Sequence, residues 1–165
     1  MLKPIAISLS LVLAGAALQP ASTAAQQASG SQQLLLTVTT LIAYWPVIHS
    51  DFVNYDDPVY VTDNDHVKSG LNPSSLRWAF TTLEAAFWQP LTLLSHMLDC
   101  QLFGLNAGNH HLTNVLIHAA TAILLFLVLR QMTAAVWLGA FVATVFAIHP
   151  LRTESVAWIS ERKDV

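Results

Sequence analysis

Charge is what this sequence has least of. Only 10% of its 165 residues are charged, while 54% are hydrophobic; an ordinary soluble domain carries about a quarter charged residues. That ratio points to a membrane protein. Basic residues are scarce as well: 7 Lys and Arg stand against 10 Asp and Glu, a formal charge of -3. The positive surplus that neutralises the phosphates of a nucleic acid is missing, which argues against nucleic acid as a partner. A single cysteine, Cys100, excludes an internal disulfide framework and a Cys-rich zinc site and leaves the redox compartment unread. No repeat period is visible, so any repeat domain lies outside these residues.

What the chain does have is apolar runs. Met1 to Gly30 reads as a secretory signal, with Lys3 as its basic start, Ile5 to Leu18 as its apolar core and the small residues Ala21 to Ala25 for cleavage; an uncleaved signal anchor is the alternative. Ala25 to Gln33, built of Ala, Gln, Ser and Gly, is expected to be a short flexible spacer. Leu34 to Ile48 is uncharged but only 15 residues long, a marginal span where about 20 cross a bilayer core. Leu112 to Leu129 runs for 18 residues without Asp, Glu, Lys or Arg and stops at Arg130, as a transmembrane helix does. Ala134 to Ile148, extended by Pro150, follows after Gln131 to Thr133 and should pair with it as an antiparallel hairpin. The expected fold is all-α: an integral membrane helical bundle of about three spans, near 34–48, 112–130 and 134–150, with a long first loop over 49–111 and a second loop from 151.

The first loop is too long to be mere connection. Ser74 or Ser75 is a plausible cap for a helix through Leu76, Trp78, Ala79 and Leu83, and Pro90 a favoured start for a second helix presenting Leu91, Leu94, Leu98 and Leu102. Both should be amphipathic, and Trp78, Phe87, Trp88 and Phe103 suit either the membrane interface or packing on the spans. The tail from His149 is expected to run along the surface as a charged amphipathic segment, in a protein that continues with further spans.

Several polar groups could carry chemistry. Asp51, Asp56, Asp57, Asp63 and Asp65 crowd one stretch. The adjacent Asp56 and Asp57 would repel each other, an arrangement that suits a general base beside a carboxylate that orients it or holds a metal; Asp-Asp-Pro is also an ordinary turn. His111, Asn114, His118 and Thr121 share one helical face, directed at a substrate cavity or at interhelical hydrogen bonds. His110, His111 and His118 lack a diagnostic metal spacing, so no metal ligand is assigned. Arg152, Glu154, Glu161, Arg162 and Asp164 could hold an anionic ligand or simply form a solvated face.

Taken together, Phe52 to Tyr60 (with Asn54-Tyr55-Asp56-Asp57-Pro58), Trp88-Gln89-Pro90-Leu91-Thr92, Ser95-His96-Met97-Leu98-Asp99, Gly108 to Asn114, His149-Pro150-Leu151, Glu154 to Trp158 and Glu161-Arg162-Lys163-Asp164 closely resemble the bacterial relatives of the transmembrane and tetratricopeptide-repeat O-mannosyltransferases, over about Leu34 to Val165. The resemblance implies a glycosyltransferase-C membrane domain that takes its sugar from a polyprenyl-phosphate donor and hands it to a protein or glycan hydroxyl. It implies that Asp56 and Asp57 are the catalytic acidic pair, Asp56 preferred as base, and that Glu154, Arg162 and Asp164, with His111, shape the substrate site. It also implies a bacterial inner membrane with the Asp-rich loop and tail external, although the positive-inside rule mildly favours the reverse if residues 1–30 count as a span. This chain would then be an N-terminal fragment lacking further spans and tetratricopeptide repeats, inactive alone; the competing function is a non-catalytic membrane anchor for such a repeat scaffold. A transporter is weaker, since the ionisable residues cluster in loops. Cys100 offers itself as a labelling site for the side on which the loop lies.

Overall fold

The computed structural model describes residues 23–84 and 86–165; most of the signal-like segment lies outside them. Among the described residues the fold is all-helical, without a strand. Helix α1 covers Thr23–Tyr44, so the expected spacer from Ala25 to Gln33 is helical instead. Ala and Gln are good helix formers, and the apolar stretch behind them carries the helix on. Its end is set by Pro46, which cannot donate to an α-helical ladder; the chain tightens there into a 3-10 turn, Trp45–His49.

Helix α5, Ala107–Thr133, is longer at both ends than its uncharged core. Asn106 caps it by accepting from the Asn109 N–H at 3.1 Å. It turns through Ala134, at φ 55°, into α6, Val136–Ile148, and the two form the expected antiparallel hairpin, with α1 packed on both. Phe126, Leu36 and Ala143 make the buried centre of this three-helix unit. Its outer faces are apolar: Leu34, Ile42, Leu116, Leu124, Trp137 and Phe141 are all exposed. An apolar exterior of that extent belongs against lipid or protein, not water.

Three full spans are not what the helices provide. Among the described residues α5 alone is long and apolar enough to cross a membrane; α6 qualifies only together with the segment Pro150–Ala157, from which it is bent by 52°. At 13 residues α6 is about 20 Å long, short of the roughly 30 Å hydrocarbon core. Its C-terminal end lies beside the middle of α5, where His118 Nε2 pairs with the Ala147 carbonyl at 3.0 Å. From that level a 3-10 turn, Pro150–Arg152, and helix α7, Thr153–Ala157, lead to a last 3-10 segment, Ile159–Asp164, that lies against the N-terminal half of α5 and ends back beside Arg152 and Thr121.

The tail therefore does not run along the surface as expected. Val156, Ile159, Ser160 and Arg162 are buried. Asn114 donates from Nδ2 to the carbonyls of Val156 (3.3 Å) and Trp158 (3.1 Å), and Thr121 to that of Val165 at 3.1 Å. Irregular backbone is tolerated beside a membrane helix when protein groups satisfy it in this way. The polar face of α5 is thus an interhelical hydrogen-bonding stripe.

The first loop folds into a small cap around Tyr60, Val61, Val67, Ala79, Leu93 and Met97, joined by Ile159 of the tail. It contains a single π turn, Pro58–Thr62, and helices α2, Asp65–Lys68, α3, Pro73–Thr81, and α4, Pro90–Phe103. Helix α3 ends before Leu83, and its cap is Asn72, not Ser74 or Ser75: the Asn72 side chain accepts from both of those N–H groups, at 3.0 and 2.9 Å. Helix α4 starts at Pro90 as expected, and its leucines divide between its two faces. Leu91, Leu98 and Leu102 are exposed, while His96 and Asp99 are buried with Leu93 and Met97.

Candidate active site

Asp56 and Asp57 are neighbours with different surroundings. Asp57 is fully buried. Its Oδ2 accepts from the Val53 N–H at 2.7 Å and its Oδ1 from the Ser160 N–H at 2.9 Å, so one carboxylate closes its own turn and ties the first loop to the tail. Such charge-assisted bonds are short and strong. Asp56 is half-buried at the outer edge of that turn, where its carbonyl accepts from the Tyr60 N–H to open the π turn. The exposed Tyr55 ring lies 5.9 Å from that of Trp158, setting an aromatic pair from loop and tail beside the acidic pair.

Beneath this rim Arg162 is buried in a polar cluster. Its Nε donates to Asn114 Oδ1 at 2.6 Å, Nη1 to Ser95 Oγ at 3.1 Å and Nη2 to the His110 carbonyl at 3.0 Å, while Asp99 Oδ2 lies 2.7 Å from Nη2. Tail, α4 and α5 are thereby pinned to one another. Burial pulls the Arg162 pKa down from its ordinary value and Asp99 pushes it back up; a guanidinium in such a setting stays charged. Burial also takes His96 well below the usual imidazole range, helped by the positive charge of Arg162, so its ring is neutral.

The remaining residues singled out in the sequence are spread around these two features. His111 is buried at the start of α5, and Glu154 and Asp164 are exposed on the tail; the Asp164 carbonyl accepts from Arg152 Nη1 at 3.3 Å. Arg162, singled out as a possible ligand for an anion, has its guanidinium engaged by protein groups on every side. Sequence reasoning gave no role to His96, Asp99, Ser95 and Ser160. The available signal was Asp99, one turn after the adjacent Ser95 and His96 in a leucine-rich helix.

No family model matches this chain, and no solved structure does. Among curated proteins it is 30% identical to the protein O-mannosyl-transferase TMTC1 of Mus musculus over 145 residues, 79% of this chain and 15% of that protein. Against TMTC1 of Homo sapiens it is 29% identical, over 92% of this chain and 17% of that protein. Against Tmtc1 of Drosophila melanogaster it is 32% identical, over 75% and 15%. The chain thus spans about a sixth of the length of the curated relatives it matches, and across most of its own length it is a distant relative of the protein O-mannosyl-transferases.

Proposed function

We propose that the chain is the N-terminal part of a longer, integral membrane glycosyltransferase of the glycosyltransferase-C type, which moves a sugar from a polyprenyl-phosphate donor to a hydroxyl of a protein or glycan. The observation that carries this reading is the division of labour between the two aspartates. With both oxygens of Asp57 occupied by backbone N–H groups of loop and tail, Asp57 is the positioning residue and the half-exposed Asp56 the catalytic one. Asp56 takes the proton of the acceptor hydroxyl; the acceptor oxygen bonds to the anomeric carbon; the bond from that carbon to the donor phosphate breaks, and polyprenyl phosphate leaves with its electron pair. Tyr55 and Trp158 offer apolar ring surface to a sugar at that edge, with Glu154 and Asp164 on the tail as further polar contacts. Arg162, His111 and Asn114 hold the floor of the site in register. The apolar outer faces and the relatives support membrane association. The finer placement, with a bacterial inner membrane, an external loop and tail, and a tetratricopeptide array in the longer protein, belongs to the same proposal.

The test is sugar transfer by the full-length protein from polyprenyl-phosphate mannose to a hydroxyl-bearing peptide. Asp56→Asn should lower the rate by about 10²- to 10⁴-fold, the usual contribution of a general base, with the folded fraction unchanged. Transfer at the wild-type rate by Asp56→Asn would remove Asp56 from the mechanism. A full-length protein that binds protein partners but transfers no sugar would instead be the non-catalytic anchor of a repeat scaffold.

A further inference from the structure

The polar cluster under the rim holds buried ring nitrogens that no protein group satisfies. His110 Nε2 pairs with the Gly104 carbonyl at 3.0 Å; a carbonyl only accepts, so the ring hydrogen is on Nε2 and Nδ1 presents a lone pair. That Nδ1 faces Asp99 Oδ2 at 3.7 Å, acceptor against acceptor. His96 completes the group: it is fully buried, and neither of its ring nitrogens has a hydrogen-bond partner. Buried polar groups are almost always paired, so unpartnered ring nitrogens of two buried histidines beside a carboxylate are an anomaly that one cation would resolve.

We propose that His96, Asp99 and His110 form a binding site for a divalent transition metal, with Zn²⁺ the best chemical match. Their ligand atoms lie within 4.8 Å of one another, and two imidazoles with one carboxylate are a donor set that zinc takes in three-ligand sites. The outer contacts have the form that metal sites use. The His110 Nε2–H is held by a backbone carbonyl, and Thr113 donates to Asp99 Oδ1 at 2.9 Å, which orients the carboxylate with Oδ2 toward the two imidazoles and Arg162. Arg162 is the group that opposes a cation here. It pairs with Asp99 Oδ2 at 2.7 Å, so an ion would share that oxygen with it, and its contacts to Asn114, Ser95 and the His110 carbonyl keep it in place if Asp99 turns to a metal. This inference is independent of sugar transfer.

The experiment uses detergent-purified full-length protein, stripped with chelator and titrated with Zn²⁺ and with Co²⁺. About one ion per chain should bind, and His96→Gln should weaken binding at least about tenfold, because even outer contacts of a metal site are worth that much. His118→Gln, which alters a buried histidine of the same helix face outside the cluster, should bind as wild type does. Folded wild-type protein that takes up neither ion, or folded His96→Gln that binds unchanged, overturns the site. Should His96→Gln not fold, X-ray absorption of the zinc-loaded wild type decides: two imidazoles in the first coordination shell support the site, and fewer overturn it.

Discussion

Asp57 joins two distant stretches of the chain through one carboxylate. Its two oxygens accept from backbone groups 107 residues apart in the chain, Val53 and Ser160, and an amide in its place could accept only one of those bonds while turning a donor toward the other. Asp57→Asn should therefore destabilise the fold by about 1.5–3 kcal/mol, the range for hydrogen bonds to a charged group. A lowered thermal midpoint in detergent, with transfer falling in step with the folded fraction, would be the signature; Asp56→Asn should leave that midpoint where it is. Sequence pattern marked the pair as a pair, because adjacent carboxylates after an apolar run are conspicuous. The pattern alone could not tell which of them would be buried, since that depends on the Ser160 N–H, a backbone group that no residue type advertises.

Helix ends illustrate how local sequence and distant packing share control. Gly108, in the first turn of α5, has ordinary helical neighbours, yet a Cβ there would sit 2.6 Å from the Ile48 carbonyl oxygen. Ala is the better helix former by about 1 kcal/mol, so in open space Gly108→Ala would stabilise. The clash with backbone reverses the sign, and a loss of about 1–3 kcal/mol is expected, read as a lower unfolding midpoint. Ala134 is the opposite case: it holds a left-handed φ of 55° at the α5 terminus, where glycine is the usual occupant. Ala134→Gly should raise the midpoint, by up to about 1 kcal/mol. Periodicity and turn signals made α4, α5 and the α5–α6 hairpin legible. The buried face of α4 was not, because the partners of His96 and Asp99, Arg162 among them, come from far along the chain. Nor was the helical start of α1, whose Ala and Gln were outvoted by the look of a low-complexity linker.

At the scale of the whole molecule the question is which side of the membrane the acidic loop occupies. Cys100, the natural label, is a poor reporter: it is buried, and burial with the nearby Asp99 charge pushes its pKa up to about 11. The thiolate is the reactive form, so at neutral pH the native protein should resist maleimide whichever side it faces. Asp65, whose side chain is 93% exposed, is the better place. In a Cys100→Ala background, Asp65→Cys should react with a membrane-impermeant maleimide in intact cells, given passage through any outer membrane. Labelling that waits for lysis would put the loop in the cytoplasm and take the proposed donor geometry with it.

The bond from Ser160 to Asp57 also sets an order of events during synthesis. Both members of the acidic pair leave the ribosome early, but the amide that fixes one of them is made 103 residues later, after the long helix and its shorter partner have emerged. Until then the acidic turn has no anchor beyond its own backbone. A nascent chain halted before Ser160 should expose Tyr55 to Pro58 to protease, and the turn should become resistant only once the returning tail has docked.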